Sequence, residues 1–168
     1  MYPIASTKSL LDVLVEEVAE LLSLETQLIN ILPEMIDAAS DPGIKTAFSK
    51  RLMLSNQHFE RMERVSDLLG AFPFGEIERP VVVRIADSDA WIKDSDPNDA
   101  MDPCLISAAI KVEHYLNACY LNACIFARHL GLDEVASLLE ANLQKNISVT
   151  SKEPDLPLAL AFAQQPAI

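Results

Sequence analysis

The chain has 168 residues and a formal net charge of −12, and half of its residues are hydrophobic. This length is typical of one domain, and this apolar content is enough to bury a core without disulfides or structural metals. The charge argues against nucleic acid as a partner, which needs clustered Lys and Arg, and charged or polar residues interrupt every stretch that might span a membrane. The N-terminal sequence lacks the features of a secretory signal, which favours the cytoplasm.

Glycines mark the predicted ends of helices. Gly43, Gly70 and Gly131 fall where an apolar helical period breaks. Ser6 and Thr7 are the candidate caps of the first helix. The pattern predicts helices at about residues 7–40, 43–69, 103–130 and 132–151. The first two form one helical hairpin and the last two form another.

A long segment, residues 71–102, separates the two predicted hairpins and is rich in Pro, Asp and Ser. Two antiparallel helical hairpins joined by one long crossover are typical of ferritin-like bundles, whereas up-down bundles have three short loops. We therefore predict an all-α, ferritin-like four-helix bundle over residues 1–152. Prolines prevent the tail, residues 153–168, from being a regular helix throughout.

The three cysteines have neither the number nor the spacing of a disulfide or zinc framework. Cys104, Cys119 and Cys124 are an odd number, and the last two lie within helix-like sequence. We expect them to be small buried hydrophobic residues in a reducing compartment.

The first predicted helix carries a glutamate inside an apolar stripe, which we call the Glu25 stripe. Its members follow alternating steps of three and four residues and so share one helix face. They are Leu11, Leu14, Val18, Leu21, Glu25, Leu28, Leu32 and Met35. A carboxylate buried without a partner costs several kcal/mol. Glu25 must therefore be hydrogen-bonded, protonated, ion-paired or metal-bound, or lie at a stripe edge exposed at a dimer interface.

Two more residues with metal-binding side chains fall on apolar faces of other helices. Glu113 is in line with Leu116 and Tyr120, and His58 shares a face with Met62. A lone His on such a face is more often a satisfied core residue than a ligand. Nevertheless, Glu from two helices and His from a third are part of the set with which four-helix bundles hold di-iron or di-manganese centres.

Several short segments, in the same order, resemble the YciE/YciF-type ferritin-like family of bacterial stress-associated proteins. The segments are Leu24-Glu25-Thr26-Gln27-Leu28, Leu32-Pro33-Glu34-Met35, His58 to Glu63, Lys111-Val112-Glu113-His114-Tyr115, and Leu130 to Glu140. The resemblance covers about residues 10–148. It implies a ferritin-like bundle, a homodimer and a stress-related role.

The sequence departs from this family at most of the positions that supply metal-binding carboxylates. The family's additional Glu positions are occupied here by Leu54, Leu116 and Gln144-Lys145-Asn146. Carried over residue by residue, the resemblance keeps only Glu25, His58 and Glu113 as a candidate metal site. Two nearby metal cations need about four carboxylates to offset their charge and repulsion. Two carboxylates and one imidazole are too few.

The remaining candidate ligands allow two interpretations. They could hold one Zn²⁺ or Fe²⁺, with water completing the coordination. Alternatively, a protonated His58 pairs with Glu25 or Glu113 in a buried polar network, and Lys145 reaches in as a replacement cation. The number of ligands favours the network, and therefore no cofactor.

Three functions follow from these interpretations. The first is a non-catalytic bundle that acts through protein interaction or dimerisation. The second is a metal-binding protein or oxidoreductase with an incomplete mono- or dinuclear site that holds iron, manganese or zinc. The third is a scaffold whose crossover binds a partner through Phe72, Phe74, Val81–Val83 and Trp91, although these residues can equally cover one end of the bundle.

Overall fold

The computed structural model describes residues 8–70 and 101–151, with side-chain exposure up to residue 147. These residues form four helices: α1 (Leu10–Ala38), α2 (Pro42–Leu69), α3 (Met101–His129) and α4 (Asp133–Ser151). α1 packs mainly against α2 and α3, and α4 packs against the same two helices. This arrangement confirms the predicted four-helix bundle. The described part of the chain does not include the tail or the part of the predicted crossover before Met101. The crossover residues that were predicted to bind a partner, Phe72, Phe74, Val81–Val83 and Trp91, therefore lie outside it.

The N-terminus of α1 is fixed by a cap at Ser9. The Ser9 hydroxyl accepts a hydrogen bond from the Asp12 amide at 3.1 Å, and the Asp12 carboxylate accepts one from the Ser9 amide at 2.8 Å. The cap is therefore not Ser6 or Thr7, which lie outside the described residues, because Ser9 is the residue that has an acidic side chain three positions later. The reciprocal pair satisfies two amides that would otherwise lack partners at the helix start.

The turn between α1 and α2 is bonded to the start of α3. The Asp102 carboxylate accepts hydrogen bonds from the Ser40 amide at 2.8 Å and the Asp41 amide at 3.0 Å. Because α3 begins at Met101 rather than near residue 103, Asp102 lies inside its first turn and is buried. This carboxylate brings the end of α1 next to the beginning of α3, so the two helices run antiparallel.

The Glu25 stripe faces the core along most of its length. Its members are buried except Leu11, which is 43% exposed. Leu11 is exposed because it lies in the first turn of α1, at the end of the stripe. Cys119 and Cys124 are buried and Cys104 is half-buried, and none of the three forms a disulfide with another described residue. None of the described helices combines the length and hydropathy that crossing a membrane requires.

Candidate functional site: a buried carboxylate network

Glu25 on α1 lies at the centre of the bundle, with no exposed surface. The Nδ1 atom of His58 lies 2.9 Å from the Oε1 atom of Glu25, and the Tyr120 hydroxyl donates a hydrogen bond to the same oxygen at 2.9 Å. The Arg51 Nη2 atom is 3.4 Å from the other carboxylate oxygen. Glu25 is therefore held by two residues of α2 and one of α3.

Arg51 connects Glu25 to the second buried acid. Its Nε atom lies 2.5 Å from the Glu113 carboxylate on α3, so the guanidinium group lies between two carboxylates. The cation between the two acids is thus Arg51, whereas the predicted Lys145 has an exposed side chain. Arg51 precedes His58 by two helical turns, so the spacing places both residues on one face of α2, but this face is not continuously apolar and its pattern does not mark Arg51 as buried.

α4 contributes amides to this site and no acidic group. The Asn142 amide donates to the Tyr120 hydroxyl and to the His58 carbonyl, both at 3.2 Å, and accepts from Arg61 at 3.0 Å. Asn146, one turn further along α4, is also completely buried. A neutral amide can orient Tyr120 but adds no negative charge to attract a metal cation.

The pKa shifts of the two central groups favour their charged forms. Burial raises the pKa of Glu25, but the Arg51 charge and the hydrogen bond from His58 outweigh this effect, so the pKa is lowered. Burial lowers the pKa of the Arg51 guanidinium, but Glu113 and Glu25 outweigh it, so the pKa is raised. At neutral pH the core of the site is consequently an ion pair.

His58 is neutral at this pH, rather than protonated as the network interpretation supposed. Burial lowers its pKa and so does the nearby charge of Arg51, although the hydrogen bond to Glu25 opposes both effects. Since an ionised carboxylate can only accept, the hydrogen bond to Glu25 requires the ring proton at Nδ1. The Nε2 atom then carries a lone pair and has no hydrogen-bond partner among the described residues.

Glu113 and Arg51 lie at the polar end of a small cavity. Burial and the Glu25 charge raise the pKa of Glu113, and Arg51 compensates for only part of this increase. The Glu113 Oε2 and Arg51 Nη1 atoms are buried and lack hydrogen-bond partners within the described ranges. The cavity beside them has a volume of about 30 Å³, which is enough for water. Its remaining walls are apolar side chains: Leu28, Ile31, Leu32, Met35, Phe48, Ala108, Ala109 and Val112.

The residues at this site do not fit a dinuclear metal centre. The positive guanidinium of Arg51 lies between the carboxylates that would have to bind the cations, and it would repel them. Leu116, at a position where the resemblance noted from the sequence implies a Glu, is fully buried and apolar. Within residues 8–70 and 101–151, no three His, Cys, Asp or Glu side chains are grouped so that they could hold a metal ion.

The structure thus brings all three predicted ligands into one network, though not into one coordination shell. His58 contacts Glu25 directly, whereas Glu113 reaches them through Arg51. The role of these residues in metal binding stays a prediction.

These helices and this central carboxylate define a ferritin-like helical bundle. A family model, described as a domain of unknown function (DUF892), matches residues 9–152. The chain therefore belongs to that family. The resemblance noted from the sequence is confirmed by a curated relative, Protein YciF of Escherichia coli strain K12, which is 28% identical over 155 residues, covering 90% of this chain and 92% of the relative.

Solved structures show the same fold. The crystal structure of the E. coli stress protein YciF superposes with a TM-score of 0.75 at 26% identity and covers 95% of this chain and 100% of that chain. YcfI from Rhodopseudomonas palustris superposes with a TM-score of 0.77 at 24% identity and covers 90% of this chain and 96% of that one. Both matches extend over nearly the whole length of each chain.

Proposed function

We propose that the protein is a non-catalytic ferritin-like bundle that acts in the cytoplasm through protein interaction, as a homodimer. In this proposal, Arg51 supplies the positive charge that metal ions supply in metal-binding bundles of this fold. One observation carries the proposal, namely the Arg51 guanidinium between Glu25 and Glu113. A relative described as a stress protein supports a stress-associated role for this chain too.

The proposal has a physical basis in the energetics of buried charge. Two buried carboxylates repel each other, and a cation between them removes the repulsion. An arginine is always charged and presents its donors in a fixed plane, so it binds two acids without dissociating. Redox chemistry at a metal instead needs open coordination positions, and a guanidinium offers none.

Removing the Arg51 charge tests this proposal. In Arg51→Gln, the two carboxylates lose their cation, so we expect the variant to be less stable than wild type by about 3 to 5 kcal/mol. We also expect Zn²⁺ to raise the melting temperature of this variant and to leave that of wild type unchanged. Differential scanning fluorimetry with and without Zn²⁺ measures both effects.

Arg64→Gln is the matched control, because Arg64 is on the same helix and pairs with Glu134 at the exposed surface. It should neither destabilise the bundle strongly nor create a response to Zn²⁺. A wild-type protein that Zn²⁺ stabilises as much as it stabilises Arg51→Gln would contradict the proposal.

A second candidate function is a metal-binding protein or oxidoreductase with a mono- or dinuclear iron, manganese or zinc site. The observation in its favour is His58, whose Nδ1 atom bonds to a carboxylate while its Nε2 atom lacks a partner among the described residues. Metal-ligating histidines commonly have this arrangement. Stoichiometric metal that is lost in His58→Asn would support this candidate over the first.

A further inference from the structure

The small cavity beside Arg51 combines apolar walls with two charged side chains. Its lining comes from α1, α2 and α3, and Arg51 and Glu113 are the charged residues in that lining. Mostly apolar walls bury the body of a small molecule, and a few polar groups fix its orientation. The cavity thus has the composition of a small-molecule site.

The polar atoms of this cavity offer one donor and one acceptor. Arg51 Nη1 and Glu113 Oε2 are buried and have no hydrogen-bond partner among the described residues. The Arg51 side chain is only 7% exposed, and its Nη2 and Nε atoms are already directed to Glu25 and Glu113. Leaving a buried donor or acceptor without a partner costs free energy. A ligand that supplies both partners is therefore favoured here.

We propose that this cavity binds the primary carboxamide group of a small neutral molecule. The amide oxygen accepts a hydrogen bond from Arg51 Nη1, and the amide nitrogen donates one to Glu113 Oε2. A carboxamide has both functions in one plane, as the guanidinium and carboxylate groups that it meets are also planar. The carbon substituent of the amide lies against the apolar walls.

The charges of Arg51 and Glu113 select against ionic ligands. A carboxylate can accept from the guanidinium, but it cannot donate to Glu113, which repels it. An amidinium can donate to Glu113, but it cannot accept from Arg51, which repels it. Such repulsion is strong at a buried site, where water screens charge poorly. The polar end of the ligand must therefore be neutral and must both accept and donate.

The size of the cavity limits the part of a ligand that enters it. A water molecule needs about 10–15 Å³, so a volume of about 30 Å³ suits a carboxamide group with a short carbon substituent. Ala109 and Glu113 are partly exposed, so within the described part of the chain the cavity lies close to the surface. A ligand with so few atoms gains little binding energy, and we expect millimolar affinity.

Three probes of nearly the same shape test the recognition of charge. Acetamide is neutral, acetate is negative and acetamidinium is positive. Each is added to the wild-type protein at constant ionic strength, and binding is followed by proton–nitrogen correlation NMR. Acetamide should cause saturable shifts of the Ala108, Ala109 and Val112 amide signals. It should bind more tightly than either ion by at least about tenfold.

Glu113→Gln should reverse this preference. The glutamine places an N–H donor where Glu113 has a carboxylate oxygen, so acetate can accept from both the glutamine and Arg51. Acetate also restores the negative charge that the substitution removes. We expect the variant to bind acetate more tightly than acetamide by at least about tenfold, a gain that unfolding cannot produce. Glu134→Gln is the matched control, because Glu134 pairs with Arg64 at the exposed surface, and it should keep the wild-type preference.

Filling the cavity tests the location of the site. Ala109→Leu enlarges a half-buried side chain that lines the cavity, so acetamide binding should be lost. Ala118→Leu makes the same change at an exposed position of α3, and it should bind acetamide as wild type does. Circular dichroism should show that both variants remain folded.

Several results would overturn the inference. The absence of a saturable shift with acetamide would mean that the cavity holds water only. Binding of either ion to wild type as tightly as acetamide would contradict recognition by the donor and acceptor, as would a Glu113→Gln variant that gains no affinity for acetate. Acetamide binding that Ala109→Leu leaves intact would place the site elsewhere. The proposed function does not depend on these results, because the response of Arg51→Gln to Zn²⁺ tests it separately.

Discussion

Arg51 determines what the two buried acids can do. Glu25 receives hydrogen bonds from His58 and Tyr120, but neither neutral group cancels its charge. The guanidinium does so, and its other side pairs with Glu113. A metal ion that bound at these carboxylates would have to displace a group that already satisfies them. In the proposed function, this one side chain makes the three predicted ligands part of a structural ion-pair network.

The neutral state of His58 leads to a pH dependence of stability. Because its pKa is lowered in the folded protein, the unfolded chain binds more protons below the ordinary pKa of about 6.5. We expect the free energy of unfolding to decrease as the pH falls below this value, by at most about 1.4 kcal/mol per pH unit from this group. The pKa of Glu25 is also lowered, so Glu25 likewise contributes less to the free energy of unfolding as the pH falls. Its contribution is lost at a lower pH than that of His58.

Urea denaturation at pH 7.5 and pH 5.5 measures this effect. His58→Asn should reduce the difference in stability between the two pH values, because the variant has no imidazole to protonate at this site. His129→Asn, which changes an exposed histidine at the end of α3, should leave the difference as in wild type. An unchanged difference in His58→Asn would show that the pH dependence arises elsewhere.

The sequence identified the acids of this network more readily than its cation. Glu25 could be predicted to point inwards because apolar residues surround it along the first helix. Arg51 shares its face with Ser55 and His58, so no continuous apolar stripe marks that part of α2 as buried. Which residue supplies the positive charge depends on the packing of two helices, and periodicity within one helix cannot show it.

The elements of the bundle are held together at the α1–α2 turn by a carboxylate from a distant part of the chain. Asp102 accepts two backbone hydrogen bonds from this turn. The sequence predicted that a helix would begin near Asp102 and Pro103, but the pattern of residues around Asp102 did not predict its hydrogen bonds to the α1–α2 turn. The hydrogen bonds link residues more than 60 positions apart, so only the assembled bundle shows them.

Asp102→Ala should destabilise the protein by about 2 kcal/mol, because it leaves two partly buried amides without an acceptor. Thermal or urea unfolding measures this loss. Asp67→Ala, at an exposed position of α2, should change the stability by less than about 0.5 kcal/mol. Equal effects of the two substitutions would mean that Asp102 contributes no more than a surface carboxylate.

At the scale of the whole molecule, the helical pattern and the long separation between the hairpins were sufficient to predict the bundle. Each helix has glycine, proline or a capping residue near an end, and these signals are local. The network around Glu25 depends instead on contacts between helices, which the pattern within one helix does not show. Leu121 and Ile125, for example, are residue types that are common in protein cores, but both side chains are exposed.

The metal content of the wild-type protein decides whether Arg51 occupies the place of a metal in the bundle. Untagged protein should be reconstituted anaerobically with Fe²⁺, Mn²⁺ or Zn²⁺, freed of unbound metal and measured by inductively coupled plasma mass spectrometry. If Arg51 fills the place of a metal, no stoichiometric metal should remain bound under any of these conditions. About two iron or manganese ions per chain, as in di-metal bundles of this fold, would contradict the account.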